Sequence, residues 1–202
     1  MNFEEEMYGT AIGRVLSDSR TIRQLDVSHI IFDYKSFHDM AQAILNERCR
    51  INNLKLRGLI IGEIEGKIIQ FILMQSKVVQ TLDLSQCRSE DPANFEYFLS
   101  KVDQFCAVKN LSLEAMGSDL SLNIETLGEA LAENKKLEVL IIRENKLKWV
   151  PYQNFWNALL PNKTIQKIDL QKTDLGDRVV EKIGKYLEQE GIILTELNFS
   201  KN

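Results

Sequence analysis

Leu137-Glu138-Val139-Leu140-Ile141-Ile142-Arg143-Glu144-Asn145-Lys146-Leu147 decides how this chain folds. Its first six residues run apolar, two variable, apolar, one variable, apolar, and the same phrase opens at Ile22, Ile51, Val79, Val108, Leu137, Ile165 and Leu194. The steps are 29, 28, 29, 29, 28 and 29 residues, a period that marks a stack of repeats. Alternation at the end of each phrase, as in Leu140-Ile142 or Leu82-Leu84, is the two-residue period of a short strand with one apolar face.

Between phrases the period becomes helical. Apolar residues recur three and then four apart at Phe37-Met40-Ile44, Phe95-Phe98-Val102, Ile124-Leu127-Leu131, Tyr152-Phe155-Leu159 and Val180-Ile183-Leu187. A repeat with one strand and one helix, each apolar on one side, has no closed core of its own, so successive units must stack. Residues 22–202 therefore read as six full repeats and the strand of a seventh, in a single solenoid domain. Residues 1–21, with Tyr8, Ala11 and Val15 at helical offsets, read as a helix completing or capping a preceding repeat.

Local punctuation refines the picture. Pro92 and Pro151 fall at helix starts, where a missing N–H costs least, and Pro161 follows a helix end. Asp177 is placed to cap the sixth helix by accepting from its free amides. Gly58, Gly62 and Gly66 crowd the second repeat, which predicts a helix starting late, near Lys67, and an irregular outer side.

With these residues in view, the chain resembles the ribonuclease-inhibitor-like leucine-rich repeats. The phrase L-x-x-L-x-L-x-x-(N/C/T)-x-L, at alternating 28 and 29 residues, covers the chain from about residue 8 to Asn202 and is sharpest at Asn145-Lys146-Leu147 and Thr173-Asp174-Leu175-Gly176. The resemblance implies an α/β fold: a right-handed leucine-rich-repeat horseshoe solenoid with parallel strands on the concave face and helices on the convex face. At the turn position Cys87, Asn145, Thr173 and Asn202 match the family, whereas Ile30, Leu59 and Met116 do not, so the early repeats are expected to turn differently.

The chain has 202 residues, 44% of them apolar, which suffices for one elongated core. Lys and Arg number 25 against 29 Asp and Glu, a formal charge of -4, which argues against a general nucleic-acid surface. No apolar run approaches the roughly 20 residues that cross a bilayer. The acidic start at Glu4, Glu5 and Glu6 is unlike a secretory signal and reads as a solvated helix start or an acidic binding tail. A cytoplasmic location is expected, and the resemblance to repeats common in such assemblies implies a cytoskeletal or ciliary one.

Cys49, Cys87 and Cys106 sit at fixed repeat positions and read as small buried apolar residues rather than a disulfide pair. Asn162-Lys163-Thr164 and Asn198-Phe199-Ser200 match the glycosylation triplet by coincidence. His29 and His38 are the only histidines, and no Cys or His cluster has metal-ligand spacing. No catalytic residue, cofactor site or metal site is expected.

The strand residues that point away from the core remain. One column reads Asp26, Lys55, Asp83, Ser112, Ile141, Asp169 and Asn198, and its neighbours add Arg57, Glu114, Val139, Arg143 and Lys167. This surface is polar and mixed in sign, which suits a protein partner better than a small molecule. Val139 and Ile141 break the polar pattern, with Glu114, Arg143, Lys167 and Asp169 around them; the pair is either an interaction hot spot or simple tolerance of β-branched residues on a strand. Trp149 and Trp156 form a second candidate, by binding or by packing.

These features predict a non-enzymatic interaction scaffold that holds an unidentified protein partner by the concave face or the solenoid ends, with no nucleic-acid or membrane partner. The alternative, implied by the resemblance, is a regulator of an enzyme, such as a ribonuclease inhibitor or a GTPase activator; the similar activators use an Arg near the N-terminal end, where Arg20, Arg23 and Arg57 stand without a surrounding motif that carries the role over. The seventh strand is followed by no helix, so the C-terminal end is expected to be continued or covered by another segment.

Overall fold

The computed structural model describes residues 6–147 and 149–202. Seven three-residue strands, β1 (Gln24–Asp26), β2 (Asn53–Lys55), β3 (Thr81–Asp83), β4 (Asn110–Ser112), β5 (Val139–Ile141), β6 (Lys167–Asp169) and β7 (Glu196–Asn198), form one parallel sheet in chain order. Each strand falls inside one copy of the sequence phrase. The register pairs equivalent positions, so Leu25, Leu54, Leu82, Leu111, Leu140, Ile168 and Leu197 stack in one row. From β2 to β5 that central residue is buried while its neighbours on either side are half-buried, the pattern of a sheet with one face on the core and the other open.

The helices cover the other side: α1 (Glu6–Asp18), α2 (Tyr34–Leu45), α3 (Glu63–Gln75), α4 (Ala93–Leu99), α5 (Ser118–Glu133), α6 (Trp149–Leu159) and α7 (Asp177–Leu187). Phe37, Met40 and Ile44 of α2, Ile124, Leu127 and Leu131 of α5, and Tyr152, Phe155 and Leu159 of α6 are all buried, in line with the helical spacing. The strand–helix alternation makes the horseshoe, with one continuous apolar core between the sheet and the helical layer.

Three local expectations differ from the structure. In the second repeat α3 is regular and starts at Glu63, not near Lys67: the Glu65 carboxylate accepts from the Gly62 N–H at 3.0 Å and fixes the first turn. Gly66 there allows close helix packing, since a Cβ would stand 2.6 Å from the Asn94 carbonyl oxygen. The irregular unit is the third, whose seven-residue α4 gives way to a 3₁₀ turn at Val102–Gln104. Asp177 is the first residue of α7 rather than its cap; Gly176 holds the cap position and offers no side chain.

The inner faces of the end helices are also rotated from the expected ones. In α7 Val179, Ile183 and Tyr186 are buried while Val180 and Leu187 are exposed, because Tyr186 turns inward to meet Trp156 at 5.6 Å between ring centroids. In α1 Leu16 is buried and Ile12 packs beside the core, whereas Ala11 and Val15 face out. The side chain of Tyr8 and the residues Glu4 and Glu5 lie outside the described structure, as does the side chain of Glu6.

The turn after each strand is a single device used seven times. The residue seven places after each phrase opens has a left-handed backbone: His29, Gly58, Gln86, Ala115, Glu144, Lys172 and Lys201, with φ between 56° and 68° except Ala115 at 55°. The N–H of this residue continues the sheet ladder, as in His29 to the Arg57 carbonyl (2.7 Å), Gln86 to Glu114 (2.7 Å) and Glu144 to Gln171 (2.8 Å). Five of the six non-glycine residues, His29, Gln86, Ala115, Glu144 and Lys172, make this bond, which lets the backbone turn while still paired and offsets a conformation that ordinarily costs roughly 1–2 kcal/mol each.

Candidate functional site

On the open face the third and fifth positions of each phrase project from rigid, in-register strands. Their charges are largely paired across neighbouring repeats. Lys55 lies 3.7 Å from Asp26, Arg57 3.7 Å from Asp83, and Lys167 2.6 Å from Glu196. Arg143 reaches both sides, 2.8 Å to Glu114 and 3.8 Å to Asp169. The Glu114 carboxylate bonded to it raises the Arg143 guanidinium above its ordinary value. Each exposed pair is worth only about 0–1 kcal/mol of stability, so their main effect is to neutralise the face.

Short side-chain turns order the same surface. Asp26, Asp83, Asp169 and Asn198 each accept the backbone N–H two residues on, at 3.0 to 3.1 Å. The Ser28 hydroxyl and N–H hold the Asp26 carboxyl below its usual value, with Lys55 adding to the effect. Asp169 is buried, and Asn198 donates to it at 3.1 Å, so it acts more as a brace than as an open contact.

Val139 and Ile141 lie on β5, half-buried, and are the only apolar members of the two outward columns. The register puts Asn110 and Lys167 beside Val139, and Ser112 and Asp169 beside Ile141. The structure thus brings Val139, Ile141, Glu114, Arg143, Lys167 and Asp169 together in one patch. Lys55, Arg57 and Asp83 sit on β2, β3 and the turn after β2, two or more repeats away along the same sheet.

Trp156 is buried among Tyr152, Phe155 and Tyr186 and belongs to the core; the Trp149 side chain lies outside the described structure. Burial pushes the Tyr152 phenol up, and the Tyr186 phenol up to about 12. Cys49 and Cys87 are buried and Cys106 half-buried, all three as free thiols; desolvation pushes Cys87 up to about 12, and its Sγ donates to the Leu56 carbonyl at 3.1 Å. Asn162 is fully buried and donates to the Leu131 carbonyl at 2.6 Å, a structural role that leaves no room for a glycan. Among the described residues no group of three or more His, Cys, Asp or Glu is placed to hold a metal, and no helix is long and apolar enough to cross a membrane.

The sequence reading missed the most exposed apolar surface of the early repeats. Ile31 and Ile60 are 73% and 70% exposed and line a cavity of about 760 Å³ with His29, Leu59, Glu90 and Asp91. The signal was present: both sit at the ninth offset from their phrase, where the later repeats carry Arg88, Gly117, Lys146 and Asp174. His29 stands over Gly58, where a Cβ would meet its ring at 2.1 Å, and His38 is a half-exposed residue of α2 with Asp39 at 3.9 Å.

No known protein-family profile matches this sequence. Among solved structures, Leiomodin-1 Actin-Binding Site 2 is similar to 87% of this chain over 84% of its own, with a TM-score of 0.53 at 13% identity. The tropomodulin C-terminal domain of Caenorhabditis elegans aligns over 90% of this chain and 92% of its own, with a TM-score of 0.47 at 8% identity. Together with the repeat geometry, the likeness to the leiomodin region defines the fold as a leucine-rich-repeat-type solenoid. At such low identity the likeness concerns the fold alone.

Proposed function

We propose that this chain is a non-enzymatic scaffold that holds a protein partner on its concave face, centred on Val139 and Ile141, in a cytoplasmic, cytoskeletal setting. The observation that carries the reading is the patch on β5: two apolar residues side by side on a rigid strand, ringed by charges that already have partners. A partner gains little from charges so neutralised, whereas covering two β-branched side chains removes apolar surface from water at about 25 cal/mol per Å². Charged neighbours then set register more than affinity.

The similar leiomodin region is named as an actin-binding site, which makes actin the first partner to test. We also assign the repeats to the ribonuclease-inhibitor-like class on the 28/29-residue alternation and the 11- to 16-residue helices α2, α3, α5, α6 and α7, and the whole of residues 1–202 to a single solenoid domain with 1–21 as the helix of a preceding unit. Sedimentation with actin filaments, and gel filtration with actin monomers, should show binding that Ile141→Asp weakens tenfold or more with a melting midpoint close to that of the parent. Full binding by a folded Ile141→Asp chain would remove the concave face as the site. Absence of actin binding, with capture of another protein lost on the same substitution, would keep the face and replace the partner.

A further inference from the structure

The opposite side of the strands, where each helix returns to the sheet, carries a different surface. The loops at 105–109, 134–138 and 160–166 form an open groove of about 420 Å³ lined by Lys109, Lys135, Lys136 and Lys163. All four lysines are exposed. The sole carboxylate lining it is Glu138, which is already engaged by Lys109 at 2.6 Å. Cys106, Ala107 and Ile193 supply apolar lining between the cations. Toward the N-terminus the same edge continues the charge with Lys77, Arg50, Arg48, Arg23 and Arg20, all exposed, against Glu47 and Asp18. This is a concentrated positive strip in a chain whose net charge is -4.

We propose that this groove docks an acidic protein segment, an apolar side chain flanked by Asp or Glu, independently of the concave face. Charge complementarity selects the class: at least three unneutralised ammonium groups converge on one concavity, and fields from like charges in a cleft raise the local concentration of an opposite charge. The apolar lining selects a peptide over a bare polyanion. Nucleic acid would call for exposed aromatic platforms for the bases, and the aromatic residue of these loops, Phe105, is buried. A membrane would call for several apolar side chains standing beyond the lysines, whereas Cys106 and Ala107 are half-buried and Ile193 is the one exposed apolar residue of the lining described.

A purely structural role accounts for part of the lysine set. Lys136 donates to the Cys106 carbonyl at 2.6 Å, and Lys135 to the Ala132 carbonyl at 3.4 Å at the end of α5, where cations favour the helix dipole. It does not account for Lys163, which makes no hydrogen bond or ion pair among the described residues.

The test is fluorescence anisotropy of a labelled peptide with one Leu between Glu pairs, against the same peptide with Gln for Glu. The parent chain should bind the Glu peptide, weaken with salt, and ignore the Gln peptide. Lys135→Glu with Lys163→Glu should lower affinity tenfold or more, and Arg88→Glu on the opposite edge should leave it unchanged. If the double variant melts early, Lys163→Glu alone must still show at least a threefold loss at an unchanged midpoint; failing that, the lysines are helix caps and the proposal falls. Equal loss from Arg88→Glu, or tighter binding to a single-stranded oligonucleotide or to phosphatidylserine vesicles than to the peptide, would also overturn it.

Discussion

The turns of the early repeats and those of the late repeats solve one problem in two ways. After β5 the Asn145 side chain does the work: its Oδ1 accepts from the Met116 N–H at 2.8 Å, and its Nδ2 donates to the carbonyls of Leu113, Ile142 and Arg143. After β6 Thr173 donates to the Leu170 carbonyl, and Asn202 accepts from the Thr173 N–H. After β2 the equivalent residue is Leu59, which is buried and has nothing to donate. There the backbone pairs with itself: Arg88 N–H to the Leu59 carbonyl at 3.0 Å and Ile61 N–H to the Arg88 carbonyl at 2.8 Å, an extra parallel bridge between Ile60 and Arg88. Buried backbone groups must be paired one way or the other. The backbone solution carries the chain farther beyond the sheet, and Ile60 is exposed on that extension.

The sharpest way to break this contrast is Asn145→Ala. It would strand the Met116 N–H and the Leu113 and Ile142 carbonyls, the Arg143 carbonyl keeping its bond from the Ala115 N–H, at about 1–3 kcal/mol for each group left unmet. An expected loss of about 3–5 kcal/mol, read as a lower urea midpoint with an unchanged slope, is the largest single effect at any turn. A loss under 1 kcal/mol would show that the late turns also rest on backbone pairing.

The reverse graft, Leu59→Asn, probes the other half. If the backbone there is already satisfied, the amide gains no partner and the core loses an apolar side chain, so stability should fall by about 2 kcal/mol. A neutral or stabilising outcome would mean that the early turn accepts the side-chain ladder after all, and that the extra bridge is incidental.

The same comparison separates what was legible in the sequence from what was not. Strand positions could be read from the leucine triplets because period and burial coincide in the second to sixth repeats, and the inner faces of α2, α5 and α6 followed for the same reason. Departure of the early turns was legible too, from Ile30, Leu59 and Met116, but its physical form was not, since pairing between Leu59 and Arg88 spans 29 residues and leaves no local trace. In α7 Val180 and Val179 are equally apolar, and only the contact of Tyr186 with Trp156 decides which is inside. Mixed charge on the open face could be read from the columns; its mutual neutralisation needed distances. The lysine groove gathers residues from three loops and emerges only when the repeats are stacked.

Helix starts differ along the molecule as the turns do. Asp33 caps α2 by accepting the Ser36 N–H at 2.9 Å and its hydroxyl at 2.7 Å. The Ser36 hydroxyl and then its N–H hold the Asp33 carboxyl below the usual value. A depressed carboxylate contributes stability that is complete above its unfolded value and is lost as pH falls through its lower folded value. Asp33→Ala should therefore cost about 1 kcal/mol at neutral pH, and the difference from the parent should close as pH drops below about 4. A difference that persists unchanged at low pH would point to packing rather than to the charged cap.

At α7 the cap position is Gly176, with an extended backbone at φ -92° and ψ 163°, and no atom within 4 Å of where a Cβ would stand. Nothing there opposes a side chain, and the helix amides beyond it have no side-chain acceptor at this position. Gly176→Ser should add a few tenths of a kcal/mol, the smallest of these effects, seen as a slight rise in the urea midpoint. The sign is what matters: it should be positive at α7. A fall instead would show that the extended backbone at Gly176 depends on glycine for a reason that open space around its Cα does not reveal.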